Sequence, residues 1–195
     1  MTVSVRRLEG AEIAPLLGDL ARLRIRVFEA FPYLYDGNLA YEADYLREYT
    51  EAPDSVLVVA VDEDRVIGAA TAAPMRHQKA EFRVPFEVRG LDTDRLFYFG
   101  ESVLLPEYRG RGLGHAFFEH REAHAVGCGA TAACFAAVVR ADDHPARPSD
   151  YTPLDAFWTK RGYSMIAGLQ TGLAWLDVGE AEESEKTMRY WLKQW

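Results

Sequence analysis

Three glycines in five positions, Gly110, Gly112 and Gly114, alternate with Arg109, Arg111 and Leu113 in the string Leu104-Leu105-Pro106-Glu107-Tyr108-Arg109-Gly110-Arg111-Gly112-Leu113-Gly114. Glycines at that density let a ligand approach the main chain and open φ values that other residues avoid. If a helix starts there, its free N–H groups can hold an anionic phosphate at the positive end of the helix dipole. Arg109 and Arg111 add charge that can fork around phosphate oxygens. Just upstream, Glu101 is the acidic residue inside the apolar run Leu96-Phe97-Tyr98-Phe99-Gly100-Glu101-Ser102-Val103. Unpaired burial of a carboxylate is costly. Desolvation would raise its pKa and make it a better proton acceptor; the plainer reading is a carboxylate that caps loop amides or pairs with an arginine.

Other phosphate motifs do not fit. A P-loop requires G-x-x-x-x-G-K-[ST], and no Lys-Ser or Lys-Thr follows these glycines. A dinucleotide fingerprint requires G-x-G-x-x-G near the first strand, whereas here the spacing is G-x-G-x-G in mid-chain. RGG-type RNA binding uses disordered repeats, and this is one copy inside an ordered pattern. His120 and His124 stand one helical turn apart and could share a metal. The zinc-protease pattern needs Glu directly after the first His, though, and Arg121 stands there. The two read as surface histidines, and no metal is expected.

The elements that must position these residues are readable from periodicity. A strand is expected around Val3-Val5. Ile13, Leu16, Leu17, Leu20, Leu23, Val27, Phe28 and Phe31 recur every three or four positions and predict an amphipathic helix of about five turns, with Pro15 in its first turn. Tyr33 to Asn38 is an aromatic loop that serves as a pocket wall or as a packing edge. Tyr41, Tyr45, Leu46 and Tyr49 predict a second helix. Val56–Val61 and Val66–Ala73, separated by Asp62-Glu63-Asp64, read as a hairpin. Pro74–Asp94 contains a helical turn at Lys79–Arg83 broken by Pro85 and Gly90. A strand over Arg95–Leu105, ended by Pro106, then leads through the glycines into a helix from Leu113 to Val126. Further along come a strand over Thr131–Arg140, a Pro- and Asp-rich loop over Ala141–Asp150 and a helix over Pro153–Lys160. The chain closes with one or two strands in Met165–Val178, an acidic loop at Gly179–Glu185 and a closing strand over Thr187–Leu192.

A chain of 195 residues with these alternations reads as one α/β domain spanning 1–195, with no repeat and no linker. The net charge of −8 argues against a nucleic-acid surface. No apolar run approaches the roughly 18 residues of a membrane span, and the charged start from Met1 to Glu12 lacks a signal-peptide core. Cys128 and Cys134 are too few and too close for a disulfide framework and read as packing residues. A cytoplasmic setting, without membrane or nucleic-acid partners, is expected. The C-terminal strand with Trp191 and Trp195 offers an edge for a homodimer, or a tail that folds back.

The glycine string resembles the [Q/R]-x-x-G-x-[G/A] signature of the GNAT acetyltransferases, with Pro106-Glu107-Tyr108 as its P-x-Y lead-in. Phe157-Trp158-Thr159-Lys160-Arg161-Gly162-Tyr163 resembles the family's L-Y-x-K-x-G-F block. The resemblance covers about Val56 to Tyr163. It implies a central mixed, mostly antiparallel sheet of about seven strands flanked by helices. It also implies acetyl-CoA as cosubstrate and transfer of acetyl to the primary amine of a small molecule or peptide. The cofactor would lie along the backbone of Val103, Leu104 and Leu105 and on Arg109, Gly110, Arg111, Gly112, Leu113 and Gly114. Glu101 falls near the family's proton acceptor.

One position departs from the family. Trp158 occupies the site of its tyrosine, and an indole N–H is not an acid. Either no acid is needed or another residue serves: Tyr151 first, then His144 or Tyr163. The departure keeps open a non-catalytic CoA- or acyl-CoA-binding module. A transferase for a longer acyl-CoA is the third reading.

Overall fold

The computed structural model describes residues 3–195, apart from the side chains of residues 48–50. Seven strands form one open sheet: β1 Val3–Leu8, β2 Val56–Asp62, β3 Arg65–Pro74, β4 Leu96–Leu104, β5 Ala132–Val138, β6 Ser164–Trp175 and β7 Ser184–Gln194, in the order β1-β2-β3-β4-β5-β7-β6. Every pairing is antiparallel except β4 with β5. The helices are α1 Leu17–Phe28, α2 Leu39–Glu51, α3 Ala80–Val88, α4 Leu113–Gly127 and α5 Asp155–Lys160.

Two irregularities in the sheet make room for a site. First, β4 and β5 pair only from Leu96 to Tyr98 against Ala132 to Cys134; beyond that the strands part. Second, β4 carries a bulge. Ala70 faces Ser102 but Ala72 faces Phe99, so β4 spends one more residue than β3 around Gly100 and Glu101. A bulge leaves ladder groups unpaired and re-aims side chains. At Leu105 the N–H donates to Ile67 O. Alternation along the strand therefore turns the N–H groups of Val103 and Leu105 toward β3, and those of Ser102 and Leu104 toward the gap.

The sheet is covered on both faces. Leu20 and Leu23 of α1 join β2 and β3 side chains and Phe117 of α4 in one buried cluster. Full burial of such a side chain contributes about 1.5–3 kcal/mol. A second cluster gathers Phe97, Phe99, Phe118, Phe135, Tyr163 and Trp191.

Several elements differ from the sequence reading. The five-turn N-terminal helix is shorter: 3-10 turns at Gly10–Glu12 and Ala14–Leu16 precede it, and Pro15, which cannot donate to a continuous α ladder, sits in the second. Pro85 does not break the following helix. It lies inside α3, whose inward Phe86 is buried on Tyr190, so tertiary packing outweighs the lost hydrogen bond. β7 begins at Ser184, inside the stretch read as an acidic loop. It is also no free edge, because β5 and β6 flank it. Trp191 is core, and Trp195 folds back to donate to Ala130 O. Tyr49 of the predicted α2 stripe lies outside the described side chains. Among the described residues no helix is long and apolar enough to cross a membrane.

Candidate active site

The glycine string is built as a strand-turn-helix junction. A 3-10 turn at Pro106–Tyr108 follows β4, and Gly112 caps α4 with φ +82. Gly110 has φ +73, and no atom lies within 4 Å of where a Cβ would stand at either glycine. The need for glycine is thus conformational, and the space beside the backbone is open. Arg109 N donates to Pro106 O, and the helix ladder starts with His115 and Ala116 donating to Gly112 O. Between them, among the described residues, the five amides from Gly110 to Gly114 have no protein acceptor outside the helix's own ladder, and none of their acceptors is a side chain. Such a run at a helix N-terminus can cradle a phosphate.

The cradle opens into a cavity of about 790 Å³ in the split between β4 and β5. Of the residues read from sequence, Glu101, Leu104, Arg109, Gly110, Gly112, Leu113, Gly114 and Tyr151 line it. Val103 and Leu105 do not: both are buried, and the Leu105 N–H is taken by β3. Arg111 folds back, donating to Glu107 O with its guanidinium 4.9 Å from the Tyr108 ring centre.

Glu101 is 8 % exposed and does not stand alone. Arg24 Nη1 lies 2.8 Å from its Oε2, and the Tyr45 hydroxyl donates to the same oxygen at 3.1 Å. Arg24 is also bonded through Nε to Glu42, which is fully buried. Burial alone would lower the Arg24 guanidinium, but the charges of Glu101, Tyr45 and Glu42 outweigh it and hold it above its ordinary value. Glu42 and Glu101 share the Arg24 guanidinium, and of the three Glu101 lines the cavity. Arg24, Glu42 and Tyr45 were not singled out in the sequence. A signal was there for Arg24: it sits on the apolar stripe with Leu20 and Phe28, where a charge needs a partner.

The aromatic loop is both wall and packing edge. Phe31, Pro32 and Tyr33 line the cavity. Behind them Arg140 donates to Pro32 O and Tyr33 O and forks onto Asp177, which also binds Lys186. Burial works against ionisation, yet Arg140 and Lys186 hold the Asp177 carboxyl below its usual range.

Tyr151 packs edge-on against Phe31 at 4.7 Å, and among the described residues its hydroxyl makes no hydrogen bond. Burial pushes that phenol up, so it stays protonated. Trp158 lines the cavity, between Phe135 at 5.0 Å and Trp191 at 5.1 Å. The other acid candidates are elsewhere. Tyr163 is buried and donates to Glu122, and His144 Nδ1 accepts from the Ala146 N–H.

His124 is not on the surface as expected. It is 9 % exposed, with Nε2 2.9 Å from Asp54 O and Nδ1 3.4 Å from Glu9. Among the described residues no three His, Cys, Asp or Glu groups cluster to hold a metal. Burial pushes the thiols of Cys128 and Cys134 up.

The model of the acetyltransferase (GNAT) family matches residues 22–163, a span that holds the bulged β4, its split from β5 and the free amides at the next helix. The chain belongs to that family. Among solved structures, it is similar to yncA from Salmonella typhimurium with acetyl-CoA: TM-score 0.64, 12% identity, covering 100% of this chain and 94% of that one. A ribosomal-protein-alanine N-acetyltransferase from Brucella melitensis aligns with TM-score 0.61 and 12% identity over 98% and 99%. An aminoglycoside 6'-N-acetyltransferase complexed with coenzyme A gives 0.60 and 16% over 100% and 97%. At these identities the likeness is one of fold. No match was found among curated proteins.

Proposed function

We propose that the chain transfers acetyl from acetyl-CoA to a primary amine of a small molecule or peptide, by direct attack in a ternary complex. The observation that carries this reading is the run of free amides from Gly110 to Gly114 opening into the split between β4 and β5. That run and the open space at Gly110 and Gly112 fit a diphosphate. The gap-facing N–H groups of Ser102 and Leu104 fit an extended amide-bearing arm. When bound, acetyl-CoA supplies the acetyl group as a thioester, whose C–S bond breaks as the acceptor nitrogen forms its C–N bond.

The protein's own groups serve the two proton transfers. Glu101 lines the cavity and accepts the one proton that a neutral acceptor amine sheds as its C–N bond forms. Arg24 and Tyr45 both hold Oε2, which fixes the carboxylate's orientation. Tyr151, a neutral phenol whose hydroxyl makes no hydrogen bond among the described residues, donates a proton to the departing sulfur. The loop Phe31–Tyr33, anchored by Arg140, walls the acceptor side and excludes water. Positioning of both reactants supplies much of the rate.

Titration calorimetry with CoA tests the cradle, and no binding at millimolar CoA would sink the reading. Thiol release against an amine library, with acetyl-, propionyl- and succinyl-CoA, tests the transfer and the acyl length. Trp158 favours a second reading, a CoA-binding module without turnover. Binding with no thiol release from any amine would select it.

A further inference from the structure

Arg121 is the largest of the fully buried side chains, 1 % exposed on the inner face of α4. All of its nitrogens are used, yet no carboxylate contacts it among the described residues. Nε donates to Phe117 O at 3.2 Å, Nη1 to Thr71 O at 3.3 Å and to Glu101 O at 3.1 Å, and Nη2 to Ser102 Oγ at 2.8 Å. Its guanidinium is packed 4.5 Å from the Phe99 ring centre and 4.7 Å from that of Phe118. Burial pushes it down to about 10, so it remains a cation at neutral pH.

These acceptors share a location. Thr71 has no partner in the β3–β4 register, and Glu101 sits in the bulge, where its N–H is received by the Thr71 hydroxyl. The two carbonyls that the bulge removes from the ladder are the ones to which Arg121 donates. A lysine has one nitrogen and could not span them. The bulge thus depends on a residue from the helix that carries the glycine cradle.

The Glu101–Ser102 peptide connects this cation to the cavity. It is trans, so its C=O and N–H point in opposite directions. With Glu101 O on Arg121, the Ser102 N–H is aimed at the gap that Ser102 lines. A hydrogen bond to the carbonyl of a peptide strengthens the donor at its other end.

We propose that Arg121 is a positioning residue for acetyl transfer: it locks the β4 bulge and polarises the Glu101–Ser102 peptide, so that the Ser102 N–H stabilises negative charge developing on the thioester oxygen. The proposal rests on the acetyl-transfer reading above. It assigns work to a buried cation at the cavity wall.

Infrared difference spectra of bound [1-13C]acetyl-CoA test it, alongside kcat and CoA affinity. In the wild-type protein the thioester carbonyl frequency is expected below that of free acetyl-CoA. R121Q removes the charge and leaves one amide nitrogen in place of three. It is expected to shift the frequency back toward the free value and lower kcat roughly tenfold or more. CoA affinity should stay within about threefold, because the cradle amides are untouched. A folded R121Q protein with wild-type frequency and kcat overturns the proposal. Should R121Q not fold, the wild-type spectrum decides: a carbonyl frequency no lower than in water overturns it. Absence of CoA binding to the wild-type protein would instead defeat the underlying functional reading, and calorimetry shows that separately.

Discussion

Arg24 Nη1 lies 2.8 Å from Glu101 Oε2, tying the first helix to the bulge of the central strand. Both groups are buried, and Arg24 is shared with Glu42. The pair makes α1 part of the candidate active site, although nothing in the glycine motif refers to it.

Replacing Arg24 by Met should therefore do more than remove a contact. It strands two buried carboxylates, and breaking a buried ion pair from one side costs about 3–5 kcal/mol. Urea unfolding should show a loss of that size. A loss below about 1 kcal/mol, the scale of an exposed pair, would refute the buried network.

Gly112→Ala separates fold from binding. The residue has φ +82, and a Cβ there meets no atom within 4 Å. The conformational cost is about 1 kcal/mol, so the protein should fold with a small fall in Tm. The methyl group would project into the cradle, and CoA affinity should fall by about tenfold or more, equivalent to at least about 1.4 kcal/mol. Unchanged CoA affinity would show that the phosphates lie elsewhere.

Glu101→Gln and Tyr151→Phe address the two proton transfers. Each should lower kcat by about a hundredfold, in the usual range for a positioned acid or base, with CoA affinity within about threefold. E101Q should also alter the pH profile of kcat. Y151F should lower activity evenly from pH 6 to 9, since the phenol is neutral throughout that range. Wild-type turnover in either variant removes that residue from the mechanism.

Asp177 sets the acid limit of the pocket wall. Its carboxyl is held below its usual range in the folded protein, whereas in the unfolded chain it titrates near 3.9. At low pH the unfolded state therefore binds the proton first. The stabilisation is complete above about pH 4 and is lost as pH falls through the folded value. Urea midpoints from pH 6 to pH 3 should fall more steeply for wild type than for Asp177→Asn. Parallel curves would mean that the Arg140–Asp177–Lys186 group does not anchor the loop.

Much of this architecture was legible in the chain. Local rules suffice for the β2–β3 hairpin, the strand into Pro106 and the helix after Gly112, because turn chemistry and apolar period are properties of neighbours in sequence. The cradle was legible for the same reason: its donors are consecutive amides. What misled was long-range packing. Pro85 within α3, the truncated start of α1 and the inner position of β7 follow from contacts with distant segments.

The chain by itself determined the glycine turn and the order of elements around it, since both are written in short windows of residue type. Only the tertiary structure decided who partners Glu101, that the Ser102 and Leu104 amides face the gap, and that Arg121 completes the bulge. Arg24 and Arg121 each carry a single charge on an apolar helical stripe. A stripe shows that the charge is buried; which oxygens receive it depends on how the helices lie across the sheet.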